Sequence, residues 1–245
     1  RYLLGNINDN FESINFDTLD INELPELEQL MLHKIYTLND NFKKYFSNYD
    51  FHNLYKELLN FCTVDLSAFY FDIRKDCLYC DDKNSKKRKS TIKVLNIILN
   101  TLLKWFAPIL SFTTEEIYRL VKIDSKKSIH LESFPDIPAN WNNKKLETKW
   151  MELIKIRETC NSSIELKRAS KEIGSSLEAN LVINLNKKMI NLVQDIDFSE
   201  LCITSDAKIK ESKSDEIIVE TIKAVGKKCP VCWKINENKC ERHSE

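Results

Sequence analysis

The first half of the chain repeats apolar residues at helical spacing. Between residues 24 and 47 they recur every three or four positions, at Leu27, Leu30, Met31, Ile35, Leu38, Phe42 and Phe46. The same periodicity continues in three further segments, 50–71, 92–107 and 113–120. Asp50 is placed to cap the second helix, and Pro108 ends or kinks the third. Because short loops join these segments, they predict an antiparallel α-helical bundle.

The pattern changes after residue 122. Residues 123–142 form an irregular linker that contains Pro135 and Pro138, and a helix is predicted from about Lys144 to Glu172, with a stop at Gly174. The period then switches from 3.6 to 2. Strands are predicted at 181–185, 198–203 and 217–225, with a short helix at 187–195.

The predicted fold class is therefore mainly α, with a small α+β module and a polar tail after the bundle. We divide the chain into a helical bundle over 1–142, a linking helix and junction module over 143–225, and a tail over 226–245. The tail is too short to bury a core of its own.

Composition excludes several functions. The 245 residues are 42% hydrophobic, which is enough for a sizeable core, but only three are glycine. The glycine-rich motifs that hold dinucleotides and nucleotide triphosphates are absent, and so is any apolar run long enough to cross a membrane. The sequence also shows no Ser/His/Asp or Cys/His arrangement, so we predict no catalytic residue.

Charge is distributed unevenly, although the net charge is zero. Residues 1–82 carry 15 acidic and 7 basic side chains, whereas residues 83–122 carry 9 basic and 2 acidic ones. The strongest basic run is predicted to contact RNA phosphates at the start of a helix and consists of Lys86, Lys87, Arg88 and Lys89. The alternative is a solvated helix surface that binds nothing.

Eight cysteines occur without the framework of a small secreted protein, which indicates a reducing, cytoplasmic location. Cys77 and Cys80 have no second pair nearby, whereas two short pairs face each other in the tail. We predict one structural Zn²⁺ held by Cys229, Cys232, Cys240 and His243, with Gly226 allowing a tight entry to the loop. Three cysteines and a water molecule are the alternative if the tail end frays.

Two further residues of the tail are suited to RNA recognition. Trp233 follows the second cysteine, so its backbone would be rigid and its ring free to stack on an unpaired base. Arg242 lies between the last two ligands and is the second candidate contact. The alternative for Trp233 is packing against the strands of the junction module.

Four stretches of the chain resemble bacterial isoleucyl-tRNA synthetases. They are Arg1-Tyr-Leu-Leu-Gly-Asn, the stretch from Ser47-Asn-Tyr-Asp-Phe-His through Asp65-Leu-Ser-Ala-Phe-Tyr-Phe-Asp-Ile-Arg-Lys-Asp-Cys-Leu-Tyr-Cys, Trp105-Phe-Ala-Pro-Ile-Leu-Ser-Phe-Thr-Thr-Glu-Glu-Ile-Tyr and Ile173-Gly-Ser-Ser-Leu-Glu-Ala. The third is shared with valyl and leucyl relatives. The fourth, together with Lys228-Cys-Pro-Val-Cys-Trp, favours the isoleucyl family.

The resemblance implies a C-terminal portion of a class Ia ligase that activates isoleucine with ATP and esterifies it to tRNA. The partners it implies are tRNA(Ile) and upstream catalytic and editing domains of the same polypeptide, in a monomer that contacts no membrane. The family places the aromatic residue after the second cysteine, here Trp233, near an anticodon base. The portion alone is expected to form no isoleucyl-adenylate.

This chain departs from the family pattern in three places. His243 stands where the family usually has a fourth cysteine, the loop between the two ligand pairs is shorter, and Cys77 stands where arginine is frequent. Two other functions stay open: a valyl-type relative, and a helical protein–protein interaction module with a zinc tail. Steep salt dependence of binding would favour RNA over a protein partner.

Overall fold

The computed structural model describes residues 1–7, 16, 19–121 and 127–243. The chain divides into two compact units, Arg1–Lys144 and Lys145–Glu245. It is mainly helical and carries a small sheet, as the sequence predicted. A separate third domain from residue 226 stays a prediction.

The first unit, called here the helical unit, contains six α-helices in its described residues. They are α1 (Tyr2–Ile7), α2 (Glu26–Ser47), α3 (Phe51–Asn60), α4 (Asp72–Cys80), α5 (Lys86–Phe106) and α6 (Ser111–Val121). A π-helical stretch, Phe61–Phe71, joins α3 to α4 without a break. No glycine or proline interrupts residues 51–80, which explains why the helix continues past the end predicted at residue 71.

Contacts along α2 fix the directions of its neighbours. The Glu28 carboxylate accepts a hydrogen bond from Thr91 at 2.9 Å, and the Asn39 side-chain oxygen accepts one from the Trp105 ring at 3.0 Å. Residue numbers rise together in these pairs, so α2 and α5 run in the same direction. Because Tyr45 donates to Glu57 at 2.6 Å beside the turn, α3 runs back along α2.

The apolar stripes predicted for α2 and α5 face the interior of the helical unit, whereas Val64 and Leu120 of the other two segments are exposed. The largest fully buried side chains of the unit include Trp105, Trp141, Tyr70, Phe42, Phe61, Leu30, Met31, Ile35, Leu54 and Leu58. The ring centroids of Phe42 and Trp105 lie 4.8 Å apart in an edge-to-face contact. Aromatic rings contribute large buried areas, so this cluster supplies much of the apolar stabilisation.

A buried ion pair crosses this core. Arg74 donates to both carboxylate oxygens of Glu28, at 2.7 and 2.5 Å, and Tyr70 donates to the same carboxylate at 3.2 Å. Glu28, Arg74 and Tyr70 are all buried. A buried charge requires such partners, because isolation from water is costly.

Local residues set the starts of three helices. Helix α2 begins at Glu26, directly after its N-cap Pro25, and α6 begins at Ser111, two residues before the segment predicted from residue 113. Helix α5 begins at Lys86, so the basic run lies at the start of a helix as predicted, ahead of the apolar segment at 92–107. The Ser85 hydroxyl explains this start, because it caps the helix by accepting from the Arg88 N–H at 3.3 Å.

The second unit packs its longest helix against a three-stranded sheet and adds two short helices and a two-stranded hairpin. It contains α7 (Lys144–Ala169), β1 (Ala179–Leu185), α8 (Lys187–Val193), α9 (Phe198–Leu201), β2 (Asp206–Glu211), β3 (Ile218–Lys223), β4 (Lys227–Lys228) and β5 (Ile235–Asn236). The order in the larger sheet is β2-β1-β3, with β1 parallel to β2 and antiparallel to β3. Ser163 of α7 bonds to Thr221 of β3 at 2.7 Å, which places α7 on one face of the sheet.

The strand predicted at 198–203 is wrong. The first four of these residues form helix α9, because the Asp197 carboxylate caps it by accepting from the backbone N–H groups of Ser199 and Glu200. The third strand is β2, which the sequence analysis missed. Its residues are mostly charged, since it lies at the edge of the sheet.

Helix α7 ends at Ala169, five residues before the predicted stop at Gly174. Lys171 has a positive φ of 61° and the Glu172 N–H donates back to the Lys167 carbonyl at 3.1 Å, a common helix ending. Within the described ranges, no helix is long and apolar enough to cross a membrane.

Candidate functional site

A short hairpin near the C-terminus positions the predicted metal ligands. Strands β4 and β5 are antiparallel, with Lys228 opposite Ile235. The loop between them is closed by a hydrogen bond from the Cys229 N–H to the Lys234 carbonyl at 2.9 Å. Gly226 enters the hairpin with a φ of +136°, and a Cβ there would lie 2.2 Å from the Asn236 carbonyl oxygen, so only glycine fits.

The structure brings the four predicted ligands together. The donor atoms of Cys229, Cys232, Cys240 and His243 all lie within 4.8 Å of one another. We call these residues the Cys3His cluster. Two of them, Cys229 and Cys232, are buried, and the other two are half-buried.

The spacing of the donor atoms fits a tetrahedral zinc site. The sulfurs of Cys232 and Cys240 lie 3.8 Å apart, and the His243 Nδ1 lies 3.5 Å from the sulfurs of both Cys229 and Cys240. Tetrahedral Zn²⁺ at its usual bond lengths separates two sulfurs by about 3.8 Å and a sulfur from a nitrogen by about 3.5 Å. The donor set and its spacing therefore suit this cation.

The backbone of the loop favours a thiolate at the first cysteine. The N–H group of Cys232, followed by that of Val231, lowers the pKa of Cys229 to about 6, against the opposing effect of burial. Burial raises the pKa of Cys232 to about 12. Because metal-ligating cysteines must be deprotonated, a cation that binds here displaces the thiol protons that remain.

Hydrogen bonds attach the hairpin to the rest of the second unit. The Ile235 N–H donates to the Ser205 hydroxyl at 2.6 Å, and that hydroxyl donates to the Leu177 carbonyl at 2.5 Å. The Lys234 ammonium donates to the Ser199 hydroxyl at 3.1 Å. The cluster is therefore held beside the sheet by polar contacts.

Trp233 projects from the loop with a strained backbone. Its φ is +65°, its N–H donates to the Cys229 carbonyl at 3.1 Å, and its side chain is 59% exposed. The Lys228 ammonium lies 5.2 Å from the ring centroid, within the range of a cation–π contact. The three other tryptophans of the chain, Trp105, Trp141 and Trp150, are buried.

The remaining predicted contacts lie on both units. Arg242 is exposed in the turn between the last two cluster residues. In the helical unit, Lys86 and Lys89 are exposed, whereas Lys87 and Arg88 are half-buried. The Arg88 guanidinium donates to the Asp81 carbonyl at 2.8 Å and so secures the turn that precedes α5.

Two features escaped the sequence analysis. The sequence did not reveal the Glu28–Arg74 pair, because each is a single charged residue on the apolar face of a different helix. The second is an exposed aromatic corner at the turn between α2 and α3, formed by Tyr49 and Phe51. A tyrosine between Asn48 and the capping Asp50 was its only signal.

Comparison with known proteins identifies the class. A family described as the anticodon-binding domain of tRNA ligase matches residues 28–183. This match covers α2 to α7 and most of β1. The chain belongs to this family of anticodon-binding domains.

The similar curated proteins are isoleucine–tRNA ligases. The one from Pelagibacter ubique is 66% identical over the whole chain, which covers 27% of that protein. The one from Agrobacterium fabrum is 38% identical over 96% of the chain, and the one from Bradyrhizobium diazoefficiens is 38% identical over 88%. The chain thus spans about a quarter of the length of these relatives.

Proposed function

We propose that the chain is the tRNA-recognition portion of an isoleucine–tRNA ligase and binds the anticodon arm of tRNA(Ile). The family match over residues 28–183 carries this proposal, and the 66% identity to an isoleucine–tRNA ligase supports the choice of amino acid. The catalytic and editing domains lie upstream in the same cytoplasmic polypeptide, which acts as a monomer.

The proposed architecture has three parts. Residues 1–142 form a class Ia anticodon-binding bundle, residues 143–225 a junction module, and residues 226–245 a zinc knuckle. The Cys3His cluster holds one structural Zn²⁺. This ion cross-links a loop that has no apolar core. The role of these four residues is to fix the backbone from which Trp233 and Arg242 reach the RNA.

The proposed contacts divide by chemistry. Lys86, Lys87, Arg88 and Lys89 attract phosphates, while the exposed ring of Trp233 stacks on an unpaired anticodon-loop base. Lys228 already covers part of the indole, which favours one defined ring orientation. Stacking is a common way for proteins to read single-stranded loops.

Binding of tRNA is the direct test. Because Trp233 is the exposed tryptophan, quenching by acrylamide reports on it almost alone. We expect tRNA(Ile) to protect it, with an affinity that falls steeply as salt rises. Equal protection by tRNA(Val) would favour the valyl-type alternative, and a salt-independent partner would favour a protein interaction module.

Two further measurements test the parts of the proposal. Reduced protein prepared without chelator should contain one zinc per chain, and His243→Ala should lower the zinc affinity; a chain without zinc would contradict the metal site. The isolated chain should show no isoleucine-dependent pyrophosphate exchange. Exchange above background would contradict the assignment of catalysis to other domains.

A further inference from the structure

The turn between α2 and α3 holds a tyrosine in a conformation that suits glycine or asparagine better. Tyr49 has a φ of 57°, and its N–H donates to the Phe46 carbonyl at 3.2 Å. The Asp50 side chain caps α3 by accepting from the Asn53 N–H at 3.2 Å, so the turn is closely defined. Despite this strain, the Tyr49 side chain is 80% exposed and adds little to the core.

A row of rings supports this tyrosine. Tyr49 meets Phe51 with centroids 6.4 Å apart, Phe51 meets Phe46 at 6.1 Å, and Phe46 meets Phe134 at 5.6 Å. All three contacts are edge-to-face. Phe51 is itself 48% exposed, whereas Phe46 and Phe134 are half-buried. The two outer rings are thus held from behind and present their surfaces to solvent.

The charges around the corner suit an anion-bearing ligand. Exposed lysines stand in the last turn of α2, at Lys44, and in the second turn of α3, at Lys56. Of the nearby acids, Asp50 caps α3 and Glu57 accepts hydrogen bonds from Tyr45 and Asn41. The exposed Asp136 carboxylate lies 4.0 Å from the Lys43 ammonium. Aromatic rings next to cations are the combination that binds single-stranded nucleic acid.

Trp233 provides an internal parallel. Among the described residues, four other than glycine have a positive φ: Tyr49, Lys171, Ile203 and Trp233. The two aromatic ones are both exposed. Each combines a strained backbone with an exposed ring.

We propose that Tyr49 and Phe51 form a second surface on which an unpaired base of the bound RNA stacks. This inference rests on the proposed function, because the occupant is the RNA that an anticodon-binding domain binds. The corner lies inside the family match of residues 28–183, whereas the Cys3His cluster lies outside it. The helical unit therefore contributes its own base contact.

The position of the corner indicates how the RNA lies on the helical unit. Because α2 and α5 run the same way, the corner and the basic run at Lys86–Lys89 lie at opposite ends of the helical unit. The 21 residues of α5 separate these ends by about 31 Å at the standard rise per residue. An RNA that touches both lies along the helices, with phosphates at one end and loop bases at the other.

The test uses the whole 245-residue chain and an anticodon stem-loop RNA of tRNA(Ile) that carries 2-aminopurine at one loop position at a time. Stacking on a ring quenches this base. We expect Tyr49→Gly to weaken binding about 10-fold or more and to abolish quenching at one position. Tyr49→Phe, which keeps the ring, should bind within about twofold of wild type.

Two controls separate recognition from folding. Glycine suits the positive φ, so Tyr49→Gly should melt no earlier than wild type, and Tyr49→Asn is a second variant compatible with the turn. Lys171→Gly relieves the same kind of strain elsewhere and should leave RNA binding unchanged.

Two results would overturn the proposal. If Tyr49→Gly and Tyr49→Asn bind the RNA like wild type while Trp233→Gly binds weakly, the corner is no base contact and the proposed function stands. If wild-type protein binds no RNA at all, the proposed function and the second surface fail together.

Discussion

The helical unit and the C-terminal hairpin are stabilised in different ways. The helical unit buries large side chains such as Phe42, Phe61 and Trp105 in a shared core. In the hairpin, residues 227–243, the buried residues are Cys229 and Cys232, and both belong to the Cys3His cluster. Once its ligand residues are set aside, the hairpin has no interior.

The stability of the two regions therefore depends on different conditions. Apolar burial works without any cofactor, because removal of apolar surface from water drives it. A loop with four converging donor atoms and no core would gain its stability from the proposed Zn²⁺. Changes to the metal should therefore act on the hairpin and spare the helices.

The largest expected effect is the loss of the hairpin on removal of a ligand. Cys229→Ser should abolish zinc binding and expose Trp233 further to acrylamide, because apparent zinc-binding free energies in such sites are about 10–16 kcal/mol. The helical unit should melt as before, which circular dichroism would show.

Cys62→Ser is the matched control for this substitution, since Cys62 is a half-buried cysteine of the helical unit outside the cluster. It should leave the zinc content unchanged. A helical unit that unfolds together with the hairpin in Cys229→Ser would contradict the separation of the two regions.

The second-largest expected effect concerns the core of the helical unit. Arg74→Met removes the cation from the buried Glu28 carboxylate and should lower the free energy of unfolding by about 3–5 kcal/mol. Urea unfolding followed by circular dichroism measures this loss, and the zinc content should stay at one per chain.

The double variant Glu28→Gln/Arg74→Met supplies the control. It leaves no unpaired charge, so it should be more stable than Arg74→Met alone. If the double variant were the less stable of the two, the cost would come from lost packing rather than from an isolated charge.

How far the sequence predicted these regions depends on the range of the interactions. Helix α2 could be predicted because its apolar stripe is a local pattern, and the cap at Asp50 was confirmed for the same reason. The four cluster residues could be singled out because ligand spacing is also local.

The failures have two sources. Residues 198–203 have the composition of a strand, but a local signal that the strand prediction overlooked, the cap at Asp197, starts helix α9 over Phe198–Leu201. The other two failures depend on contacts between distant residues. Strand β2 was missed because its apolar pattern is weak. This edge strand is held in the sheet by its pairing with β1, which the local sequence does not show. The Glu28–Arg74 pair joins residues 46 positions apart, which no sequence period reveals.

An intermediate effect concerns recognition by the hairpin. Trp233→Ala should weaken tRNA binding by about one to two orders of magnitude, because base stacking is worth roughly 1–3 kcal/mol. Trp233→Gly should weaken it equally while relieving the strain of the positive φ, so zinc content and thermal stability should not fall. Titration with tRNA and melting are measured on the same samples.

Trp233→Phe keeps an aromatic ring and serves as the control, with an affinity close to that of wild type. Lost stability with unchanged tRNA affinity would assign Trp233 a packing role and remove it from recognition.

The smallest expected effect concerns the basic end of the helical unit. Replacing all four residues of the run, Lys86, Lys87, Arg88 and Lys89, would also remove the Arg88 contact to the Asp81 carbonyl and disturb the turn before α5. The exposed pair Lys86 and Lys89 offers a cleaner substitution.

Lys86→Ala/Lys89→Ala should leave the melting temperature unchanged and weaken tRNA binding modestly at physiological salt. Each lost phosphate contact lowers the slope of log affinity against log salt by about 0.7–0.9, so the pair should lower it by about 1.4–1.8. Lys44→Ala/Lys56→Ala, at the other end of the unit, is the comparison: its salt slope should fall as well if the RNA lies along the helices. An unchanged slope in Lys86→Ala/Lys89→Ala would mean that this end of α5 is a solvated helix start.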